Sequence, residues 1–517
     1  MKKTPLLERR RCGILMPVFS LPSPYGIGSL GKAAYDFVDF LEAAGQSYWQ
    51  ILPLGPTGYG DSPYQAYSTY AGNPYFIDLD LLCQSGYLSK EECIAVDFGK
   101  DPDAVDYGKL YNGRFPLFKK AVARFQKRIP DDFEAFCKKQ SFWLSDYALF
   151  MALKDENGGI SFDLWEEDLK LHKRAALKKA EERLAEDILY WKMLQYFFYK
   201  QWDALKTYAN KKGISIIGDV PIYVSPDSAD VWSSPEQFQL DEDRKPIKVA
   251  GCPPDAFTAD GQLWGNPLYR WDKMKEDGYT WWCKRLKAAS KLYDVIRFDH
   301  FRGFEAYFTI PYGKKNARRG AWEKGPGMDF FKTVHEKLGD LDIIAEDLGF
   351  LTEGVYQLLE ETGYPGMKVI QFAFGAKMKD SEYLPHNIPK NCVTYTGTHD
   401  NETIMGWLGS ADKKTAKNIE RYFRLHGGTE GKNWAIMKSA LATPANTVIL
   451  QMQDFLGLDN RARVNEPSTM GKNWRWRIRP ECLNPWLANI ILGASTIYFR
   501  TPPTAKAPVF DDDKETK

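Results

Sequence analysis

The sequence predicts an α/β protein, a (β/α)8 TIM barrel with large helical and loop insertions between barrel units, and three observations carry that prediction. Short apolar or β-branched runs recur along the 517 residues and end abruptly in polar residues. Stretches with helical periodicity lie between them, which suits repeating βα units better than a sandwich. The runs come to eight, the number such a barrel needs, and four of them end in or beside carboxylates.

A helix-like segment from Leu30 to Ala44, with Gly45 in a C-cap position, leads into the first run, Ser47–Leu54. Pro74–Asp80 reads as the second. Ile214–Val220, Asp294–Asp299, Leu341–Asp347, Met367–Phe374, Cys392–Thr398 and Thr447–Gln451 complete the set. Residues 1–80 are thus the first part of the barrel and 213–501 the remainder. The interval 81–212 is too long for one crossover and dense in Ala, Leu, Lys and Glu, so it predicts a mostly helical insertion subdomain. Its charged stretch Glu166–Leu194 reads as a solvated helix face with no chemistry assigned. Residues 225–278, rich in Pro, Gly, Asp and Trp, predict a loop or lid insertion. Residues 502–517 read as a flexible tail.

Composition narrows the partners. Lys and Arg number 69 against 68 Asp and Glu, a formal charge of +1, so nothing marks a nucleic-acid or membrane surface. No run of about 18 or more apolar residues suggests a membrane span, and no signal peptide is recognised, so a cytoplasmic address is expected. Eight scattered cysteines without CxxC spacing read as reduced thiols. The six histidines show no HxH or HxxxH spacing and no EF-hand-like loop occurs, so neither a metal nor a cofactor is expected.

The carboxylates carry the chemistry. Asp219, Asp299, Glu346 with Asp347, and Asp400 all stand at run ends, where a parallel barrel opens onto its active site. Like charges gathered there raise one another's pKa, an arrangement useful where one carboxyl must hold a proton while another stays ionised. Glycosidic-bond chemistry needs such a pair. Arg297 lies two residues before Asp299 and hence on the same side of a strand, where its cation would keep Asp299 anionic. Glu346 is the acid of choice, with Asp347 competing, since only one of two strand neighbours points into the mouth. Tyr64, in a loop beside Pro63, offers a flat platform for a sugar ring; Trp264 serves equally as a platform or as an anchor of its loop to the barrel.

These motifs resemble the α-amylase clan and, within it, the amylomaltases and disproportionating enzymes. The likeness runs from about Gly13 to Leu492. It rests on Ser62-Pro-Tyr64-Gln65, Gly218-Asp219-Val-Pro-Ile-Tyr223, Gly251-Cys-Pro-Pro-Asp255, Gln262-Leu-Trp264-Gly-Asn-Pro-Leu-Tyr269, Arg297-Phe-Asp-His-Phe-Arg-Gly303, Ala345-Glu-Asp-Leu-Gly349, Gly397-Thr-His-Asp-Asn401 and Asn473-Trp-Arg-Trp-Arg477. No His follows Asp219 where amylases carry Asn-His, a variant that amylomaltases share.

The resemblance implies a 4-α-glucanotransferase that moves α-1,4-glucan segments from a maltooligosaccharide donor to glucose or another glucan, by retaining double displacement through a covalent glucosyl-enzyme. Asp299 would be the nucleophile, Glu346 the acid and then base, and Asp400, with His399 and Arg297, would bind ring hydroxyls and favour a distorted sugar. Asp219 and Tyr64 would line the donor side, Gln262 and Trp264 would reach over the cleft, and Tyr59, Phe372 and Asn465 would also bind substrate. Transfer wins over hydrolysis only where water is excluded, and Trp232, Phe257, Trp264 and Tyr269 of the 225–278 segment are the expected lid aromatics. Two alternatives remain at this stage: an α-amylase-like hydrolase of α-1,4-glucans, and a non-catalytic glucan-binding protein.

Overall fold

The computed structural model describes residues 5–58, 60–254, 259–375, 378–425 and 431–509. Eight parallel strands form the barrel: β1 (Arg11–Leu15), β2 (Tyr48–Gln50), β3 (Ser215–Pro221), β4 (Val295–Asp299), β5 (Ile343–Ala345), β6 (Gly366–Val369), β7 (Cys392–Tyr395) and β8 (Thr447–Gln451). They are hydrogen-bonded in the order β6-β7-β8-β1-β2-β3-β4-β5. The Ala345 amide donates to Pro365 at 3.0 Å and draws β5 to the start of β6.

The expected strand count is right, but the membership differs by one. Pro74–Asp80 is not a strand. Asn73 accepts the Tyr75 amide and sets up a short 3-10 turn, Pro74–Phe76, and Asp78 then caps the helix Leu79–Gln84 through the Leu81 amide. Apolar composition in that run was outweighed by two capping side chains and a proline suited to a first helical position. The missing strand is β1, whose short apolar stretch follows three arginines. Gly13 lets β1 lie against β2, since a Cβ there would sit 2.5 Å from the Tyr48 Cβ. Gly45, with φ +65°, follows the helix Lys32–Ala43 and turns the chain into β2.

Alternate residues of the strands point inward and fill the barrel with Leu15, Tyr48, Ile217, Val295, Ile344, Met367 and their neighbours. Outward residues such as Phe298 join the larger core beneath the helices. Between β2 and β3 lie helices including Tyr107–Phe125, Ser141–Glu156 and the 27-residue Ala185–Lys211, which packs on the insertion and also delivers the chain to β3. Among the described residues no helix is long and apolar enough to cross a membrane.

The 225–278 segment is more ordered than a loop. Its strands Lys248–Cys252 and Gln262–Pro267 join Ala306–Pro311 and Ala321–Lys324, from the β4–β5 connection, in a four-stranded antiparallel sheet. Two expected lid aromatics are core residues instead. Trp232 is buried and donates its Nε1–H to the Leu169 carbonyl at 2.9 Å, and Tyr269 is buried and donates to the Ile222 carbonyl at 2.7 Å. Phe257 lies outside the described residues. At the chain's other end, 510–517 also lie outside them, while Val509 exchanges two hydrogen bonds with Asn489.

Candidate active site

Strand alternation decides which carboxylates face inward. Asp219 stands two residues after Ile217, Arg297 two after Val295, and Glu346 two after Ile344, so each continues an inward-facing row at the C-terminal end of its strand. Phe298 pairs with Ala345, and the Glu346 amide donates to the Phe298 carbonyl at 3.0 Å. Asp299 and Glu346 are the next residue on each strand, and Glu346 is among the charges that act on Asp299. Asp347 points the other way: it accepts the Met367 amide at 2.5 Å and pairs with Lys368 at 3.2 Å. The choice between the two neighbours therefore falls on Glu346.

The Arg297 Nη1 donates to both oxygens of Asp219, at 2.8 and 2.7 Å, and to Asp299 Oδ1 at 3.2 Å. Asp219 is thus its nearer partner. Glu346 is fixed from two sides, Oε2 accepting the His300 amide at 2.6 Å and Oε1 the Leu348 amide at 2.9 Å. Tyr64 donates to Asp219 Oδ2 at 2.6 Å, and its oxygen lies 2.9 Å from His399 Nε2 while the two rings stack at 5.3 Å. With the Tyr64 proton committed to Asp219, a proton on His399 Nε2 satisfies the hydroxyl and also faces Asp400 Oδ1 at 3.3 Å. Asp400, whose side chain is 43% exposed, accepts Asn465 Nδ2 at 2.6 Å.

The electrostatics depart from the simple expectation that Arg297 holds Asp299 ionised. Desolvation raises Asp299 well above the ordinary carboxylate range, and Asp219, Glu346 and Asp400 add to that rise, together outweighing Arg297. Glu346 is raised as well, chiefly by desolvation, against Arg297 and its two amide donors. Burial thus opposes the charged form of both carboxyls. Desolvation lowers His399, with Arg297 acting in the same direction against Asp400, and His300 drops to about 3, so both imidazoles are neutral near pH 7.

Tyr64, Asp219, Arg297, Asp299, Glu346, His399, Asp400 and Asn465 therefore form one cluster. Trp264 adjoins it as an anchor: its Nε1–H donates to Gln262 Oε1 at 3.0 Å and its ring meets His300 edge-on at 4.9 Å, which seats the hairpin next to Asp299. Phe372 lies apart, on the turn Ile370–Phe374 after β6, 44% exposed and edge-on to Tyr383 at 5.6 Å. Tyr59 lies outside the described residues.

Sequence reasoning overlooked His300 and Trp474. The His300 backbone, at φ +55°, aims its amide at Glu346. Trp474 lies within 5.9 Å of the Tyr64 ring and 6.0 Å of the His399 ring. A non-glycine left-handed residue leaves no mark in a sequence, whereas the aromatic-basic run 473–477 was a usable signal for Trp474. Among the described residues no group of His, Cys, Asp and Glu is arranged to hold a metal ion.

A parallel barrel whose C-terminal mouth gathers coupled, desolvated carboxyls around an arginine defines a class, the barrel enzymes that work on glycosidic bonds. The comparisons narrow the class. Residues 16–483 match the family described as 4-alpha-glucanotransferase, and the chain belongs to that family. It is 50% identical to the 4-alpha-glucanotransferase of Clostridium butyricum over 94% of this chain and 100% of that one. It is 46% identical to the Thermus thermophilus 4-alpha-glucanotransferase, over 92% and 96%. Among solved structures, the amylomaltase from Streptococcus agalactiae in complex with acarbose superposes with a TM-score of 0.93 at 43% identity, covering 96% of this chain and all of that one.

Proposed function

We propose that this enzyme transfers α-1,4-glucan segments by double displacement, with Asp299 as nucleophile and Glu346 as proton carrier. Donors are maltooligosaccharides or longer α-1,4-glucan chains, and acceptors are glucose or another glucan. One Asp299 oxygen attacks the anomeric carbon of the donor while Glu346 gives its proton to the departing glycosidic oxygen. The released sugar leaves a covalent glucosyl-enzyme ester. A hydroxyl of the acceptor then attacks that carbon as Glu346 takes the hydroxyl proton, which regenerates both carboxyls and keeps the α-linkage.

The observation that carries this reading is the β4–β5 register. Neighbouring strands lie about 4.8 Å apart, and retention asks for two carboxyls about 5–5.5 Å apart; the β4–β5 pairing ends at Phe298 and Ala345, so that Asp299 and Glu346 follow directly at the two adjoining strand ends. With substrate bound, the pair's proton must sit on Glu346, so that Asp299 is ionised, bonds Arg297 and attacks. His399, Asp400 and Asn465 make a rigid polar wall suited to ring hydroxyls. Tyr64, with Asp219 behind its hydroxyl, presents a ring to the donor. The hairpin carrying Gln262 and Trp264 seats against His300 and favours transfer by excluding water. Residues 1–80 and 213–501 act as one catalytic unit interrupted by the insertion 81–212. No disulfide joins any of the cysteines among the described residues, in keeping with a cytoplasmic setting.

The test is incubation with maltotriose followed by product-length analysis. A ladder containing chains longer than the donor is expected from the native chain and none from Asp299→Asn. Only shorter products would identify a hydrolase, and full activity in Asp299→Asn would remove the assigned nucleophile.

A further inference from the structure

A second cavity, of about 290 Å³, lies outside the barrel where the insertion meets it. One wall is the helix Thr280–Leu292, which contributes Lys284, Lys287 and Lys291. Their i, i+3, i+7 spacing sets the three ammonium groups along one helix face, where like charges repel. Lys139 faces them from the end of the helix Asp132–Lys139, and among the described residues Asp203 is the only acidic residue of the lining. Four cations against one carboxylate is a local excess of three in a chain whose whole formal charge is +1.

This excess is not neutralised by the fold. Among the described residues none of the four ammonium groups forms an ion pair, although neighbouring Lys206 pairs with Asp294 at 3.2 Å and donates to the Lys291 carbonyl at 3.0 Å. The floor between the lysines is apolar or aromatic, made by Phe142, Tyr199 and Leu292, and Phe142 is 47% exposed there. The helix Ser141–Glu156 begins at the same wall, with no side chain capping its first amides, so its positive end adds to the field. A concave, cationic site of this size with a flat floor suits a small molecule that has both a multiply charged anionic head and a hydrophobic or ring-shaped body. Lysines bind phosphate as point charges and need no planar match.

We propose that this cavity binds a phosphorylated small molecule, its phosphate held among Lys139, Lys284, Lys287 and Lys291 and its body resting on Phe142 and Tyr199. The ligand would bridge the insertion and the barrel, because Lys139 and Phe142 belong to one and the remaining lysines to the other. A sugar phosphate and a nucleoside monophosphate share this chemistry.

Calorimetric titration of the full chain at low ionic strength with glucose 1-phosphate, with AMP and with inorganic phosphate tests the assignment. One site per chain is expected for at least one of the two organic phosphates, tighter than inorganic phosphate and weakened by added salt. Combining Lys284→Ala, Lys287→Ala and Lys291→Ala should weaken it at least about tenfold, and Lys139→Ala, on a separate helix, about threefold. The proposal is overturned by an absence of saturable binding up to roughly 10 mM of every probe, or by binding that survives the triple substitution unchanged. Binding of inorganic phosphate alone would also overturn it, since the aromatic floor would then have no role.

Discussion

The two ends of the barrel each bury an arginine and use it in opposite ways. At the N-terminal end, Arg500 is fully buried and fans its donors onto five main-chain carbonyls: Leu441 at 2.7 Å, Thr443 at 2.9 Å, Ala445 at 3.0 Å, Arg11 at 3.2 Å and Asn446 at 3.3 Å. Desolvation pushes its pKa down, with Arg10 adding to the effect. At the C-terminal end, Arg297 meets carboxylates instead; burial opposes its charge, but Asp219 and Asp299 hold it well above its ordinary value. The first arginine satisfies orphan carbonyls where strands and helices meet, which is a matter of stability. The second sets the charge of a site that the surrounding carboxyls keep unstable. Function has been placed where the barrel is electrostatically strained.

The sharpest way to break this contrast is Asp299→Asn. Transfer should fall by at least about 10^4-fold, or roughly 5 kcal/mol of transition-state stabilisation, in product-length assays. Stability should move the other way. Because the folded pKa of Asp299 is raised, its contribution to stability is full below the ordinary carboxylate range and is lost as pH rises through the folded value. The asparagine variant should therefore melt higher than the native chain at pH 7–8, with the gap closing toward pH 4. A lower melting temperature at pH 8 would show that Asp299 is a structural carboxylate.

The same substitution at both arginines comes next. Arg500→Lys cannot reach five carbonyls with three donors and should cost about 2–4 kcal/mol of stability, read in denaturant unfolding, with kcat per folded molecule unchanged. Arg297→Lys keeps the charge but misplaces it. It should cost about 100-fold in kcat with less than about 1 kcal/mol of stability lost. If both variants lost stability and activity in proportion, the two ends would not be functionally distinct.

Tyr64→Phe is expected to have the smallest effect. It removes the hydroxyl between Asp219 and His399 and keeps the ring, so a loss of about tenfold in kcat/KM is expected. A loss as large as that of Asp299→Asn would mean that this hydroxyl takes part in proton transfer.

Much of the molecule was legible without coordinates. Seven barrel strands declared themselves as apolar runs with polar ends, Asp219 stood out as a run-end carboxylate, and period-two alternation put Arg297 and Asp299 on the same side of a strand. The strand β1 was hidden because a five-residue strand that begins on the last of three arginines carries little pattern; Arg10 and Arg11 spend their side chains on carbonyls of the C-terminal segments, contacts invisible along the chain. The false strand at Pro74 had the right composition, but Asn73 and Asp78 gave the backbone local hydrogen bonds that compete with a sheet. Trp232 and Tyr269 looked like lid aromatics because their segment is rich in loop residues, yet their polar atoms find buried carbonyls and their rings fill the core.

By itself the sequence determined the barrel class, the strand-end carboxylates and their likeness to glucan transferases, because each of these is written in local periodicity and in motifs of neighbouring residues. Tertiary structure settled what spacing left open, that Glu346 rather than Asp347 faces the mouth, and it alone decided that Arg297 leans toward Asp219 and that burial beside three carboxyls from other segments raises Asp299. Those outcomes depend on which strands become neighbours and on how much water the fold removes, and neither quantity is a property of any short stretch of chain.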